Sequence, residues 1–142
     1  MNSNIVPPRT EGPRPRIVLV EDDPGVRRSI QLLLQRNYDV RSYASSAALL
    51  AEPAPADVAC LVTDYRMAEM DGLEVLRAFR ACGWTGPAIL ITAYYSPELV
   101  ERARREGCDI VLDKPLREHA LVEAVAQLTG RLRPNGKAFS TA

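Results

Sequence analysis

The chain carries apolar runs that stop abruptly at acidic or hydroxyl residues, and these runs constrain its fold more than any other feature. Residues 17–20 are all apolar and lead directly into the acidic segment 21–23. Two further runs, 59–63 and 88–91, close on Asp64 and Thr92. A strand that is buried on both faces reads as a continuous apolar run, because helices cover both sides of its sheet. The runs therefore predict central strands of a parallel sheet.

The segments between these runs carry apolar residues at helical spacing, as at 26, 30, 33 and 34. Ser96 and Pro97 supply an N-cap and a proline for the first helical position. Shorter candidate strands at 38–43 and 110–112, and a short helix at 45–51, extend the alternation. The last predicted helix holds Leu116, Leu121, Val122, Val125 and Leu128. The pattern predicts an α/β fold, a doubly wound five-stranded parallel sheet with helices on both faces.

The length of 142 residues fits one domain. We expect that domain to span residues 15–130, between a flexible N-terminal tail at 1–14 and a flexible tail or linker at 131–142. No segment approaches the roughly 20 apolar residues that cross a bilayer, and residues 1–14 lack the apolar centre of a signal peptide. Neither observation favours a membrane partner.

Charge and cysteine content narrow the functional classes further. Lysines plus arginines and aspartates plus glutamates number 18 each, so net charge gives no reason to expect direct nucleic-acid binding. The three cysteines form no CxxC motif and suit a reducing compartment, which predicts a cytoplasmic protein. Cys60 is expected in the core, and His119 on the surface.

Polar side chains collect where the predicted strands end. Ligands of open parallel sheets bind beyond the carboxyl ends of the strands. Those ends carry Glu21, Asp22, Asp64, Thr92 and Lys114. Crowded carboxylates favour the protonated form unless a cation lies nearby, and Mg²⁺ with several waters suits an open, oxygen-rich site. We therefore expect Mg²⁺ as the cofactor.

This set of groups suits phosphoryl transfer to Asp64. A carboxylate can attack phosphorus and form an acyl phosphate while a cation, a lysine and a hydroxyl stabilise the phosphoryl oxygens. Other phosphate chemistries fit less well, because the chain has neither a GxxxxGK[ST] loop nor a GxGxxG turn. Phosphatases with a nucleophilic aspartate need a second acid two residues later, and that position is Arg66.

Four segments together resemble the receiver domain of bacterial two-component response regulators, the CheY-like superfamily, over residues 16–130. They read VLVEDDPGVR, LVTDYRMAEMDGLEVL, AILITAY and VLDKPL. The resemblance implies a flavodoxin-like sheet with strand order 2-1-3-4-5. It also implies a signalling module rather than an enzyme, one that catalyses only its own phosphotransfer and dephosphorylation.

The resemblance assigns a role to each site residue. Asp64 is the phosphoacceptor, Thr92 the switch hydroxyl, and Lys114 the contact to the phosphoryl group. The metal ligands would be Asp22, Asp64, the backbone carbonyl of Arg66, and Glu21 through water. The peptide bond before Pro115 would be cis.

The implied partners are a sensor histidine kinase or phosphotransfer protein, which donates the phosphoryl group, and a downstream protein or effector domain. The second partner would bind the surface of the fourth helix, fifth strand and fifth helix. A homodimer stays open as a further option. Three departures from the family pattern stand out. Val111 replaces the usual aromatic residue, Ala68 replaces a common proline, and Arg66 and Tyr94 shape water access to the phosphoryl group.

Several readings of the whole protein stay open at this point. The first is a stand-alone phosphorylation-dependent switch. The others are a receiver domain of a hybrid kinase or multidomain regulator, an adaptor that binds without phosphorylation, and a metal-dependent phosphatase. The presence of Asp22, Asp64, Thr92 and Lys114 together favours the switch.

Overall fold

The structure is a computed structural model that describes residues 14–52 and 57–130. Most of the predicted N-terminal tail and all of the predicted C-terminal tail lie outside the described residues. The strands are β1 (Arg16–Val20), β2 (Asp39–Tyr43), β3 (Val58–Asp64), β4 (Ala88–Thr92) and β5 (Ile110–Asp113). The helices are α1 (Pro24–Leu34), α2 (Ser46–Leu50), α3 (Gly72–Ala81), α4 (Pro97–Arg105) and α5 (Glu118–Thr129).

The five strands form one parallel sheet in the order β2-β1-β3-β4-β5. Both the predicted fold class and the strand order are therefore confirmed. Alternate side chains of each strand point to opposite faces of the sheet and divide the core into two layers. On β1, Val18 and Val20 join the layer that holds α3 side chains such as Phe79, whereas Ile17 and Leu19 face α1 and α5. Cys60 is fully buried in the second layer, as predicted.

Short polar side chains begin most of the helices. Asp23, Ser45, Asp71 and Ser96 each accept a hydrogen bond from a backbone N–H in the first turn of the helix that follows. Such bonds satisfy amide groups that have no partner inside the helix. Pro24 and Pro97 lie in first turns, where a missing N–H costs no helical hydrogen bond. The caps therefore fix the residues at which α1, α2, α3 and α4 begin.

The start of the last helix differs from the prediction. Leu116, which was placed in that helix, precedes it, because Arg117 has an extended backbone and α5 begins at Glu118. Leu116 still packs against the core layer that holds α5. The peptide bond between Lys114 and Pro115 is cis, and His119 is exposed, as predicted.

Arg80 and Trp84 hold together the loops at the amino-terminal ends of the strands. The polar residues lie at the opposite, carboxyl-terminal ends. The guanidinium of Arg80 donates to the carbonyls of Trp84, Gly86 and Gly107 at 3.3, 2.7 and 3.0 Å. The buried indole N–H of Trp84 donates to the carbonyl of Val58 at 2.9 Å. Within the described ranges, no helix has both the length and the apolar character needed to cross a membrane.

Candidate functional site

The parallel sheet places three carboxylates at the same edge. Glu21 and Asp22 directly follow β1, and Asp64 ends the neighbouring strand β3. One oxygen from each of the three side chains lies within 4.8 Å of the other two. Glu21 and Asp64 are buried, whereas Asp22 is exposed. The predicted cluster therefore forms, with its open side at Asp22.

Glu21 is the most deeply buried member of the cluster. It is 0% exposed, and among the described residues its Oε1 atom has no hydrogen-bond partner. Its Oε2 atom accepts from the amide of Asp23 at 3.1 Å. Burial raises the pKa of Glu21 to about 7, although the Asp23 hydrogen bond opposes the shift. A buried carboxylate with an unsatisfied oxygen is costly unless a cation offsets its charge.

Lys114 supplies a positive charge beside this cluster. Its Nζ lies 3.3 Å from Glu21 Oε1 and 3.3 Å from Asp64 Oδ1. Burial lowers the pKa of Lys114, but the two carboxylates outweigh that effect and raise its pKa above the ordinary value. Burial also raises the pKa of Asp64, and Lys114 opposes that shift. The ammonium therefore favours the ionised, nucleophilic form of Asp64.

Thr92 ends β4, next to the strand that carries Asp64, and is 1% exposed. Its hydroxyl accepts a hydrogen bond from the amide of Tyr94 at 2.8 Å. Its backbone carbonyl accepts from the amide of Lys114 at 2.8 Å and so ties the end of β5 to the end of β4. The Thr92 hydroxyl is thus engaged by the loop that leads to α4.

Gly72 fixes the backbone around Asp64 from the other side. Its amide donates to the carbonyl of Tyr65 at 2.8 Å. A Cβ at this position would collide with the backbone carbonyl oxygen of Asp64 and would lie 2.7 Å from a methyl carbon of Leu90. The first residue of α3 therefore packs directly on the end of β3, and only glycine leaves enough space.

Arg66 lies on the exposed loop that follows Asp64. Its guanidinium carbon lies 4.4 Å from the centre of the Tyr94 ring, a distance typical of a cation–π contact. The two positions that the sequence linked to water access are therefore in contact with each other.

Sequence reasoning missed two features of the site region. One is the hydrogen bond between Tyr65 and Arg102, which are separated by 37 positions along the chain. The other is a groove of about 570 Å³ that opens beside Lys114, between α1 and the start of α5. The apolar spacing of the α1 residues was the one sequence pattern that could have indicated the groove, because α1 forms one of its walls. No local pattern signals the hydrogen bond, because it depends on how α4 packs against the end of β3.

The residues present fit a hard divalent cation. Three carboxylates offer oxygen ligands within a short distance of one another, and Oε1 of the buried Glu21 has the Lys114 ammonium 3.3 Å away but no further polar partner among the described residues. Oxygen ligands in an open site suit Mg²⁺, which keeps several of its waters when bound. Mg²⁺ therefore agrees with both the chemistry and the accessibility of the cluster.

Comparisons with known proteins point to one family. The family model described as the response regulator receiver domain matches residues 17–126. The chain is 33% identical over 120 residues to the transcriptional regulatory protein FixJ of Azorhizobium caulinodans, covering 84% of this chain and 57% of that protein. It is 34% identical over 117 residues to an uncharacterized 14.6 kDa protein of Leptolyngbya boryana, covering 78% of this chain and 87% of that protein.

Solved structures agree with the sequence relatives. The receiver domain of the Francisella response regulator 1452 superposes with a TM-score of 0.76 at 23% identity, covering 84% of this chain and 100% of that one. This likeness supports the fold. The chain spans just over half the length of FixJ from Azorhizobium caulinodans and from Rhizobium meliloti, 57% and 56% respectively. With the family model matching most of its length, this chain belongs to the family of response regulator receiver domains.

Proposed function

We propose that this receiver domain is a phosphorylation-controlled switch that accepts a phosphoryl group from a phosphohistidine onto Asp64. The observation that carries the proposal is the placement of Lys114 Nζ 3.3 Å from Asp64 Oδ1, beside two further carboxylates. A nucleophile, a cation for the phosphoryl oxygens and a set of metal ligands therefore share one small site. The adaptor that binds without phosphorylation, one of the alternatives left open by the sequence, becomes an outcome of the test below.

The reaction follows from these groups. An oxygen of the Asp64 carboxylate attacks phosphorus, and a P–O bond forms as the P–N bond to the donor histidine breaks. The departing imidazole nitrogen keeps the electron pair of the broken bond. Lys114 donates to one phosphoryl oxygen, and the Thr92 hydroxyl leaves the Tyr94 amide to donate to another. Attack by water on the acyl phosphate later restores the carboxylate and releases inorganic phosphate.

The carboxylates of Glu21, Asp22 and Asp64, with the backbone carbonyl of Arg66, would hold Mg²⁺, and Glu21 would act through a water. When bound, the ion would neutralise charge on the phosphoryl oxygens during transfer. Within the protein, the Lys114 ammonium offsets part of the negative charge of the site, because it lies 3.3 Å from an oxygen of Glu21 and 3.3 Å from an oxygen of Asp64. Asp22 offers the exposed carboxylate through which the cation would enter.

The test is the intact mass of the protein after incubation with acetyl phosphate and Mg²⁺. We expect one added phosphoryl group on the wild type and none on Asp64→Asn. Asp113→Asn is the matched control, because Asp113 is an exposed aspartate at the end of β5 on the same edge of the sheet. Wild-type protein that gains no mass yet binds partners tightly would replace the switch with an adaptor that works without phosphorylation.

We further propose that the phosphohistidine donor docks in the groove beside Lys114. The groove adjoins the site and is lined mainly by α1 and the segment before α5. Its lining includes Val26, Ser29, Leu33, Lys114, Pro115 and Leu116. An apolar helix face of a kinase or phosphotransfer protein would bury the exposed parts of these side chains while presenting its histidine to Asp64.

Ser29→Glu tests this docking site, because it adds bulk and charge to the groove without touching the carboxylates. Transfer from a phosphorylated kinase or phosphotransfer protein should slow about tenfold, the scale of roughly 1.4 kcal/mol of lost binding. Phosphorylation by acetyl phosphate, which needs no docking, should be unchanged. Arg28→Glu, on the same helix outside the groove, is the control. Equal slowing with both donors would place the defect in the site rather than in docking.

The signal would leave through the surface of α4, β5 and α5, which includes Arg102, Arg105, Val111 and Glu118. This surface adjoins the loop that holds Thr92 and is therefore the part of the fold that a movement of Thr92 reaches first. Domain boundaries at 15–130 and a cytoplasmic location stay predictions from the sequence.

A further inference from the structure

Tyr65 connects the acceptor strand to its surroundings through both backbone and side chain. It directly follows Asp64, its amide donates to Ile91 of β4 at 2.8 Å, and its carbonyl accepts from Gly72 of α3 at 2.8 Å. The ring is partly buried against the core layer that also contains Leu99 of α4. Any change in the backbone at Asp64 therefore acts directly on the position of this ring.

The Tyr65 side chain begins a chain of polar contacts that reaches α4 and α3. Its hydroxyl accepts a hydrogen bond from Arg102 Nη1 at 3.1 Å. Arg102 Nε lies 3.4 Å from one carboxylate oxygen of Glu106, and Arg77 of α3 donates to the other at 2.7 Å. The four side chains thus connect the end of β3 with the carboxyl half of α4.

Val111 and Thr92 offer no side-chain hydrogen bond between the site and the carboxyl half of α4 among the bonds of the described residues. Val111 on β5 has no hydroxyl or ring N–H, so its side chain cannot hydrogen-bond to α4. The Thr92 hydroxyl is held by the amide of Tyr94, in the loop that ends at Ser96, the N-cap of α4. If the Thr92 hydroxyl turns toward a phosphoryl group, its hydrogen bond with the Tyr94 amide breaks. The loop before α4 is then held less firmly.

We propose that the hydrogen bond between Tyr65 and Arg102 holds α4 in its resting position and breaks when Asp64 is phosphorylated. This inference rests on the proposed function, because it assigns the regulation of the same site. Tyr65 would couple Asp64 to α4, because its backbone directly follows Asp64 and its hydroxyl contacts Arg102. Breaking the bond frees Arg102 and loosens α4 against the end of β3.

Hydrogen–deuterium exchange of peptides that cover α4 tests the proposal. In the unphosphorylated protein, Tyr65→Phe should raise amide exchange in α4 about tenfold, the order expected for one lost hydrogen bond to a charged group. Arg102→Gln should do the same, and the double variant should add little to either single change. Wild-type protein treated with acetyl phosphate and Mg²⁺ should reach the same fast exchange.

Matched controls separate the proposed bond from general damage. Tyr43→Phe removes a hydroxyl that donates to Glu52 at 2.7 Å, far from α4, and Arg104→Gln removes an exposed arginine of α4. Both should leave exchange in α4 at the wild-type rate. The proposal fails if Tyr65→Phe and Arg102→Gln also exchange at that rate. It fails too if phosphorylated wild type, verified by its mass, keeps slow exchange in α4. Absence of the mass adduct would instead overturn the proposed function. The exchange rates of the unphosphorylated variants would still test whether the Tyr65–Arg102 hydrogen bond stabilises α4.

Discussion

Among the three carboxylates of the site, Glu21 is the most deeply buried. The residue exits a buried strand, yet it stays fully buried because Lys114 and the end of β3 close over it. Its raised pKa shows the cost of that burial, since the charged form is poorly solvated. Burial thus favours the neutral form of this carboxyl, and the neighbouring Lys114 ammonium opposes that effect.

Mg²⁺ affinity should therefore depend on pH through Glu21. A cation must displace the proton that Glu21 holds below a pKa of about 7, so affinity should fall roughly tenfold from pH 8 to pH 6. Glu21→Gln should bind more weakly but with a flatter pH dependence. Calorimetric titration of both proteins with Mg²⁺ measures this. Identical pH profiles for the two proteins would show that protonation of Glu21 does not control Mg²⁺ affinity.

The same shift has a consequence for stability without metal. Because the folded state binds more protons than the unfolded state between the ordinary pKa of 4.5 and about 7, the free energy of unfolding should fall as pH rises through that window. Saturating Mg²⁺ should oppose this loss at the upper end, because the ion stabilises the folded, ionised form.

At the level of elements, the start of α3 and the end of β3 are built as one unit. Asp71 caps α3 in a reciprocal capping box with Glu74, and Gly72 then brings the helix onto the carbonyl of Asp64. The acceptor strand is therefore held by β1 and β4 through sheet hydrogen bonds, and by α3 through direct contact.

Gly72→Ala should disturb this unit. The added methyl group meets the Asp64 backbone and Leu90, so the free energy of unfolding should fall by about 1–3 kcal/mol, the usual cost of overpacking. Urea denaturation followed by the fluorescence of Trp84, the single tryptophan, measures the change.

Gly25→Ala is the matched control in the first turn of α1, where a Cβ would meet only an ordinary contact at 3.4 Å. The free energy of unfolding of this variant should be unchanged or slightly higher. Equal effects of the two substitutions would contradict the direct contact.

At the level of the whole molecule, the sequence predicts far more of the fold than of the coupling between its parts. Apolar runs identify all five strands, and the Ser96–Pro97 pair identifies the start of α4, because these are local signals. The carboxylate cluster also follows, since parallel strands end at one edge. The start of α5 was misplaced, because Leu116 packs on the core without being helical. The bond between Tyr65 and Arg102 joins positions that no local pattern relates.

Phosphorylation of Asp64 is tested most directly by locating the phosphoryl group on the chain. Protein phosphorylated by acetyl phosphate and Mg²⁺ would be treated with borohydride, which reduces an aspartyl phosphate to homoserine, and its peptides would be mapped by mass. If Asp64 accepts the phosphoryl group with the help of Mg²⁺, homoserine will be found at position 64 alone, and none will be found when Mg²⁺ is chelated. Homoserine at position 22, or phosphorylation that persists in Asp64→Asn, would contradict this prediction.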